Sequence, residues 1–170
     1  VFRTHSNPVP IQTVDEAQTL FGIRTITVDS VRGLRINGKP VKLKGGCVHH
    51  DNGLLGAVSL YECEERKIRK LKETGFNAVR TAHNPPSGAL VEACDRLGMF
   101  VLQDMVNNGH YSFLRDTAFP TLGWKKYRDT GRIRSGRRKK IFEEHMKETI
   151  RILYNHPSII GYTIFNEGWG

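Results

Sequence analysis

The stretch Ser158-Ile159-Ile160-Gly161-Tyr162-Thr163-Ile164-Phe165, followed by Asn166-Glu167-Gly168-Trp169-Gly170, decides how the rest of the chain is read. Ser158 to Phe165 is apolar, rich in β-branched residues and of strand length, which predicts a buried strand. Asn166-Glu167 stands where that strand runs out. In parallel α/β architectures the carboxyl-terminal rim of the sheet is where ligands bind and chemistry occurs. A carboxyl group partly desolvated there has its pKa raised toward neutrality and becomes a proton donor. Glu167 is therefore the candidate general acid/base, against the plainer reading of a solvent-facing turn residue. Asn166 is a candidate for binding a ligand hydroxyl, because its amide both donates and accepts.

Upstream, strand and helix patterns alternate. Val41 to Cys47, with Gly45-Gly46 near its end, Phe76 to Arg80 and Met99 to Met105 read as three more strands. Ser59-Leu60-Tyr61-Glu62 has the spacing of a capping box and opens a helix to about Thr74, with Gly75 as its left-handed stop. Pro85-Pro86-Ser87 introduces a second helix, with Leu90, Val91, Cys94 and Leu97 on one face and Gly98 as its stop. A third helix is predicted from about Arg138 to Tyr154, carrying Phe142, Met146, Thr149, Ile150 and Leu153 on one side. Val106 to Ser135 reads as a long irregular excursion, either a functional loop or a disordered one.

Strand and helix alternating four times means parallel strands joined by right-handed crossovers. Gly45-Gly46 is followed by Cys47-Val48-His49-His50 and not by a G-x-G-x-x-G loop, which argues against a dinucleotide-binding open sheet. Polar residues instead follow every strand: His49, His50 and Asp51, then His83 and Asn84, then Asp104, then Asn166 and Glu167. Groups drawn from several strand ends suit the first half of a (β/α)8 TIM barrel.

The first 40 residues read differently. Phe21 to Val28 and Val31 to Ile36 have the alternation of strands, Asn37-Gly38 is a strong hairpin signal, and Val41 and Leu43 resume the alternation beyond it. Val1 to Leu20 has no clear period. The chain opens on Val1, so a processed or missing start is expected.

With 38% hydrophobic and 25% charged residues the composition is that of a globular protein, and no apolar run has the 18 or so residues a membrane helix needs. No secretory segment opens the sequence as given; the compartment is left open, with a cytoplasmic address favoured. Cys47, Cys63 and Cys94 have no paired spacing and are expected to be buried, reduced thiols. The net charge of +9 is concentrated in Lys125 to Lys140, which holds nine basic residues and one Asp. Only Tyr127 interleaves there as a stacking aromatic, so a solvated loop is expected and nucleic acid is not the expected partner.

His49, His50, Asp51, His83 and Asp104 could ligate a metal, or could hydrogen-bond a hydroxyl-rich ligand as a polar pocket. Zinc spacings of the H-E-x-x-H or C-x-x-C kind are missing, so no metal or other cofactor is expected. Arg80, at a strand end, either pairs with an inward carboxylate or serves packing. Trp169 either stacks on a sugar face or belongs to the core.

Phe76-Asn77-Ala78-Val79-Arg80-Thr81-Ala82-His83-Asn84-Pro85-Pro86-Ser87-Gly88-Ala89-Leu90, then Cys94-Asp95-Arg96-Leu97-Gly98-Met99-Phe100-Val101, Asn155-His156-Pro157-Ser158-Ile159 and Asn166-Glu167 resemble the catalytic barrel of glycoside hydrolase family 2. This is the family of β-galactosidases, β-glucuronidases and β-mannosidases, and the resemblance runs from about Phe21 to Gly170. It implies that residues 1–38 are the end of an immunoglobulin-like β-sandwich and 39–170 the N-terminal part of the barrel. It makes Glu167 the acid/base and Asn166 the residue that hydrogen-bonds the sugar 2-hydroxyl. His50 then lines the sugar site, and Arg80, His83 and Asn84 form the motif at the end of the second strand. Asp104 falls where the family usually has the Glu of an Asp-Glu pair. Here the pair is Gln103-Asp104, which leaves the role of Asp104 open.

The implied activity is hydrolysis of terminal β-linked sugars, β-galactosides foremost, with β-glucuronidase-like activity or a non-catalytic carbohydrate-binding remnant as the alternatives. A retaining mechanism needs a second carboxylate about 5–5.5 Å from the first. No carboxylate of the 170 residues matches the family's nucleophile, so the expectation is a fragment, inactive and poorly stable by itself. A carbohydrate is the expected partner, a membrane is not, and a homo-oligomer is compatible with the full-length parent.

Overall fold

The computed structural model describes residues 15–106, 113–123 and 136–166, and these form two sheets. The first is antiparallel and built from β1 (Ile26–Asp29), β2 (Gly33–Ile36) and β3 (Lys39–Pro40) in sequential order. Asn37 and Gly38 make the β2–β3 turn with φ of 52° and 75°, the pair of left-handed conformations that a two-residue hairpin requires. β1 starts at Ile26 and not at Phe21. The preceding residues instead reach across to the far end of the chain: the Arg24 guanidinium donates to the carbonyl of Ile159, and Asn155 Nδ2 to Thr19 Oγ1 at 3.1 Å. β2 starts at Gly33 and not at Val31, because Asp29 Oδ1 accepts from the backbone of Val31 and Arg32 and closes a turn there.

The second sheet is parallel, with β4 (Gly45–Val48), β5 (Ala78–Thr81), β6 (Phe100–Asp104) and β7 (Ile159–Thr163) side by side in chain order. α1 (Tyr61–Glu73) connects β4 to β5, α2 (Gly88–Leu97) connects β5 to β6, and α4 (Gly136–Leu153) precedes β7. The strand order never reverses. That is the order from which a (β/α)8 barrel is wound, whereas an open doubly wound sheet has a switch point. The expected first strand, Val41 to Cys47, is shorter and later. Asn77 supplies side-chain bonds to residues 42–44, accepting from Lys44 N at 2.7 Å and donating to Lys42 O at 2.9 Å, so the ladder starts only at Gly45.

One face of the parallel sheet packs on the helices. Val79, Val101 and Ile159 meet Ile68 of α1, Leu90, Val91, Ala93 and Cys94 of α2, Met99, and Leu153 of α4. Fully burying side chains of this kind stabilises by about 1.5–3 kcal/mol each, so this layer holds the strand ends in place. Leu97 packs against the cluster half-buried, and Phe142, Met146, Thr149 and Ile150 of α4 are half-buried as well.

Local signals at α2 match their expectation: Ser87 Oγ accepts from Leu90 N at 3.2 Å, and Gly98 takes φ 68°. At α1 the capping box does not form. Leu60 is the cap residue, and the Ser59 hydroxyl is bound instead to Glu64 and Ser87. The thiols also differ from expectation, since only Cys94 is buried, while Cys63 is half-buried and Cys47 exposed on the open face of β4. Burial, helped by Asp95 and Glu64, pushes the Cys94 thiol up to about 12. Within the expected irregular excursion, Phe113–Ala118 forms a π-helical turn and α3 (Phe119–Thr121) a short helix. Single turns are too short to leave a period in the sequence. Of the basic segment only residues 136–140 are described, at the start of α4. No helix among the described residues is long and apolar enough to cross a membrane.

The parallel sheet sets a sharp condition on one of two adjacent glycines. A Cβ at Gly45 would lie 2.0 Å from the Ala78 carbonyl oxygen, whereas one at Gly46 would have nothing within 4 Å among the described residues. Gly45→Ala should lower stability by about 1–3 kcal/mol as an overpacked substitution, and Gly46→Ala should be near neutral. Urea unfolding of the two variants side by side checks this, and equal midpoints would contradict the close β4–β5 approach.

Candidate active site

Strand alternation builds the site. On β5, Val79 enters the helix-facing core, so Arg80 projects from the opposite face. Arg80 is in register with Leu102 of β6, and Asp104 lies two residues further along the same face, at the strand's carboxyl end. Arg80 therefore meets Asp104 side-on, donating from Nε to Oδ1 at 2.8 Å and from Nη2 to Oδ2 at 2.7 Å. The same Nη2 donates to Asn166 Oδ1 at 2.8 Å, just beyond β7. His83, two residues after β5, places Nδ1 3.1 Å from Asp104 Oδ2. His49, one residue after β4, sets its ring edge-on to His83, with centroids 5.4 Å apart and planes at 81°.

Asp104 is 1% exposed. Burial works to raise its pKa, but hydrogen bonds from Arg80, His83 and Thr163 outweigh that and hold the carboxyl below the ordinary aspartate range. Asp104 is thus a standing anion, the counter-ion of Arg80, and not a proton donor near neutral pH. Facing an anion, His83 Nδ1 is the ring nitrogen that donates a hydrogen to it.

The β4–α1 loop that carries His49 is anchored from below. Glu64 of α1, 2% exposed, accepts from Asn52 Nδ2 at 2.9 Å and Ser59 Oγ at 2.8 Å and pairs with Lys67 at 3.0 Å, while Ser59 reaches Ser87 at the start of α2 at 2.6 Å. Burial raises the Glu64 pKa, and the bonds of Asn52, Lys67 and Ser59 together bring it below its usual value. This network was not legible from motifs, but one signal existed. Glu64 precedes Ile68 by four residues, so an acid stands on the helix face that enters the core.

Of the residues expected in the site, the structure gathers Arg80, His83, Asp104 and Asn166. His50 and Asn84 are exposed and make no hydrogen bond among the described residues. His49 is a further imidazole at the cluster by strand parity: Cys47 is in register with Arg80, so the side chain two residues on shares its face. Glu167 and Trp169 lie outside the described residues. Among the described residues no group of three or more His, Cys, Asp and Glu side chains is arranged to hold a metal ion.

The depressed Asp104 pKa carries a sign. Its contribution to stability is full above the unfolded aspartate value of about 3.9 and fades as pH falls through the lower folded value. Unfolding followed from pH 7 to 2 should show that loss begin only below about pH 4. Asp104→Asn should flatten this acid limb, and an unchanged acid limb would contradict the assignment.

Comparison with known proteins places the chain in a family. Residues 27–169 match the family model described as glycosyl hydrolases family 2, TIM barrel domain. A β-galactosidase from Bacteroides ovatus is 34% identical over 154 residues, which cover 91% of this chain and 16% of that protein. A solved family 2 member from Bacteroides cellulosilyticus superposes with a TM-score of 0.67 at 41% identity, over 86% of this chain and 17% of the other. Bacteroides uniformis β-glucuronidase 2, covalently bound to cyclophellitol-6-carboxylate aziridine, gives a TM-score of 0.64 at 29% identity and is 15% covered. The chain thus spans about a sixth of the length of these relatives. It belongs to the glycosyl hydrolases of family 2 and carries sequence of their TIM-barrel domain.

Proposed function

We propose that this chain is part of a retaining glycosidase that removes terminal β-linked sugars, β-galactosides foremost, with Glu167 as the acid/base. The observation that supports this reading most directly is the convergence of Arg80, Asp104, His83 and Asn166 at the carboxyl ends of β5, β6 and β7, one residue before Glu167. Asn166 would hydrogen-bond the sugar 2-hydroxyl, Arg80 and Asp104 would fix that amide, and His83 with His49 would line the sugar site. His50, Asn84 and Trp169 remain proposed contacts at its mouth. In such a mechanism the acid protonates the departing oxygen while a second carboxylate forms a covalent glycosyl intermediate, and the acid then serves as base for water.

We further infer that residues 1–38 end an immunoglobulin-like sandwich and that 39–170 begin the barrel. The antiparallel pairing of β1 with β2, in a sheet distinct from the parallel one, supports a separate unit before the barrel, and β3 (Lys39–Pro40) carries that sheet two residues past the division. Hydrolysis of β-glucuronides is the second reading, supported by relatives that carry that name, among them one from Bacteroides fragilis at 27% identity.

The test uses the full-length enzyme on 4-nitrophenyl β-galactoside and β-glucuronide. Glu167→Gln should lower turnover by about 10²–10⁴-fold, and more for an alkyl than for a nitrophenyl glycoside, because a poor leaving group depends most on the proton. Binding of the sugar should persist. Loss of affinity without loss of turnover would make Glu167 a binding residue only, and a full-length protein without turnover would favour a carbohydrate-binding remnant. Residues 1–170 produced alone should not cleave either substrate, since none of their carboxylates matches the family's nucleophile.

A further inference from the structure

We propose that Asp104 is a positioning residue that acts through Arg80 on the amide of Asn166, and so sets how strongly the enzyme distinguishes a sugar with a 2-hydroxyl from its 2-deoxy counterpart. The inference rests on the proposed role of Asn166 and adds a cause for its orientation. Guanidinium groups have no acceptor, so the Asn166 atom 2.8 Å from Arg80 Nη2 has to be the carbonyl oxygen. The amide nitrogen then points away from Arg80. A flipped amide would set two donors against each other and forfeit a charge-assisted bond.

What fixes the direction of that bond is Asp104. Its two oxygens take Nε and Nη2 of Arg80 in a side-on pair at 2.8 and 2.7 Å, which sets the guanidinium plane. Nη2 carries two hydrogens. One is held by Asp104 Oδ2, so the other is aimed at a single place, where Asn166 Oδ1 sits. Asp104 has no exposed surface left with which to touch a ligand, being 1% exposed and already bound by His83 as well. Its effect on a sugar therefore passes through Arg80. This also accounts for an aspartate at the position: the carboxylate is spent within the protein.

The experiment measures kcat/KM of the full-length enzyme for 4-nitrophenyl β-galactopyranoside and for its 2-deoxy counterpart, with the glucuronide pair in parallel. The readout is the ratio of the two, since hydrogen bonds to the 2-hydroxyl strengthen in the transition state. Asn166→Ala should shrink this ratio by about 100-fold, as for loss of one transition-state donor. Asp104→Asn should shrink it by about 10–100-fold, the scale of a misplacement near 1 Å, with no further loss in the double variant. Asp104→Glu should regain part of it. Arg80→Lys, which keeps a cation beside Asp104 but lacks the fork, should shrink the ratio similarly and covers the case of an unfolded Asp104→Asn. If Asp104→Asn or Arg80→Lys lowers both substrates by one factor and leaves the ratio intact, the relay is wrong while the role of Asn166 stands. If Asn166→Ala itself leaves the ratio intact, that role fails and the relay with it.

Discussion

An ionised carboxylate at 1% exposure is stable only when every lone pair it lost to water is met by a donor, and Asp104 is met by two nitrogens of Arg80, the ring of His83 and the hydroxyl of Thr163. These groups come from β5, the segment just after it, and β7. A pair of this kind is weak evidence for net stability, because desolvation consumes most of its Coulomb energy. What it does is exclude alternatives. Slipping β6 by one residue against β5 would send Asp104 into the helix-facing core and leave Arg80 facing nothing, an error of several kcal/mol in either charge alone. The strand ends that carry the site are therefore held in one register by the same charges that shape it.

The division of labour between the two faces follows from alternation. Val79, Val101 and Ile159 commit one face of the sheet to α1 and α2, so the residues between them are free to be polar or small on the other. Small residues matter where chains approach closely: Gly161 leaves room against Leu102, as Gly45 does against Ala78. One element breaks the pattern. Gln103 is fully buried on the core side and neither atom of its amide has a hydrogen-bond partner among the described residues, although buried amides nearly always find one. Its neighbour Asp104 carries the whole polar burden of that strand end.

How much of this could be read from the sequence depends on the range of each interaction. Ser87, Gly98, Gly75 and Asn37-Gly38 declare themselves because their meaning is set by residues within four positions, and the structure uses each as read. Ser59 misled for the opposite reason. Its hydroxyl is claimed by Glu64 and by Ser87, 28 residues away, and no local rule can weigh that competition. The start of β4 was misplaced because the Asn77 side chain occupies the backbone of residues 42–44 from 33 residues downstream. At the site, Arg80 was legible as half of an ion pair, but its partner across 24 residues was not, so the role of Asp104 stayed open. His49 joins His83 by strand parity, because Cys47 is in register with Arg80 and the side chain two residues on shares its face, a pairing that only the β4–β5 register discloses.

The charge balance of the cluster bears on what sugar it suits. Arg80 is positive and Asp104 negative, so the ion pair at the centre of the cluster is neutral, and Asn166 adds hydrogen-bonding capacity without charge. A uronate brings a carboxylate of its own, and holding it in a partly desolvated site calls for a cation or a set of backbone donors aimed at it. Arg80 spends Nε and one hydrogen of Nη2 on Asp104, and turning those two donors toward a second anion would leave Asp104 unpaired at 1% exposure. A neutral, hydroxyl-rich ring makes no such demand, since an amide such as that of Asn166 both donates to and accepts from hydroxyl groups. The two donors of Arg80 thus serve an internal anion, and the charge of the cluster by itself selects neither a neutral glycoside nor a glucuronide.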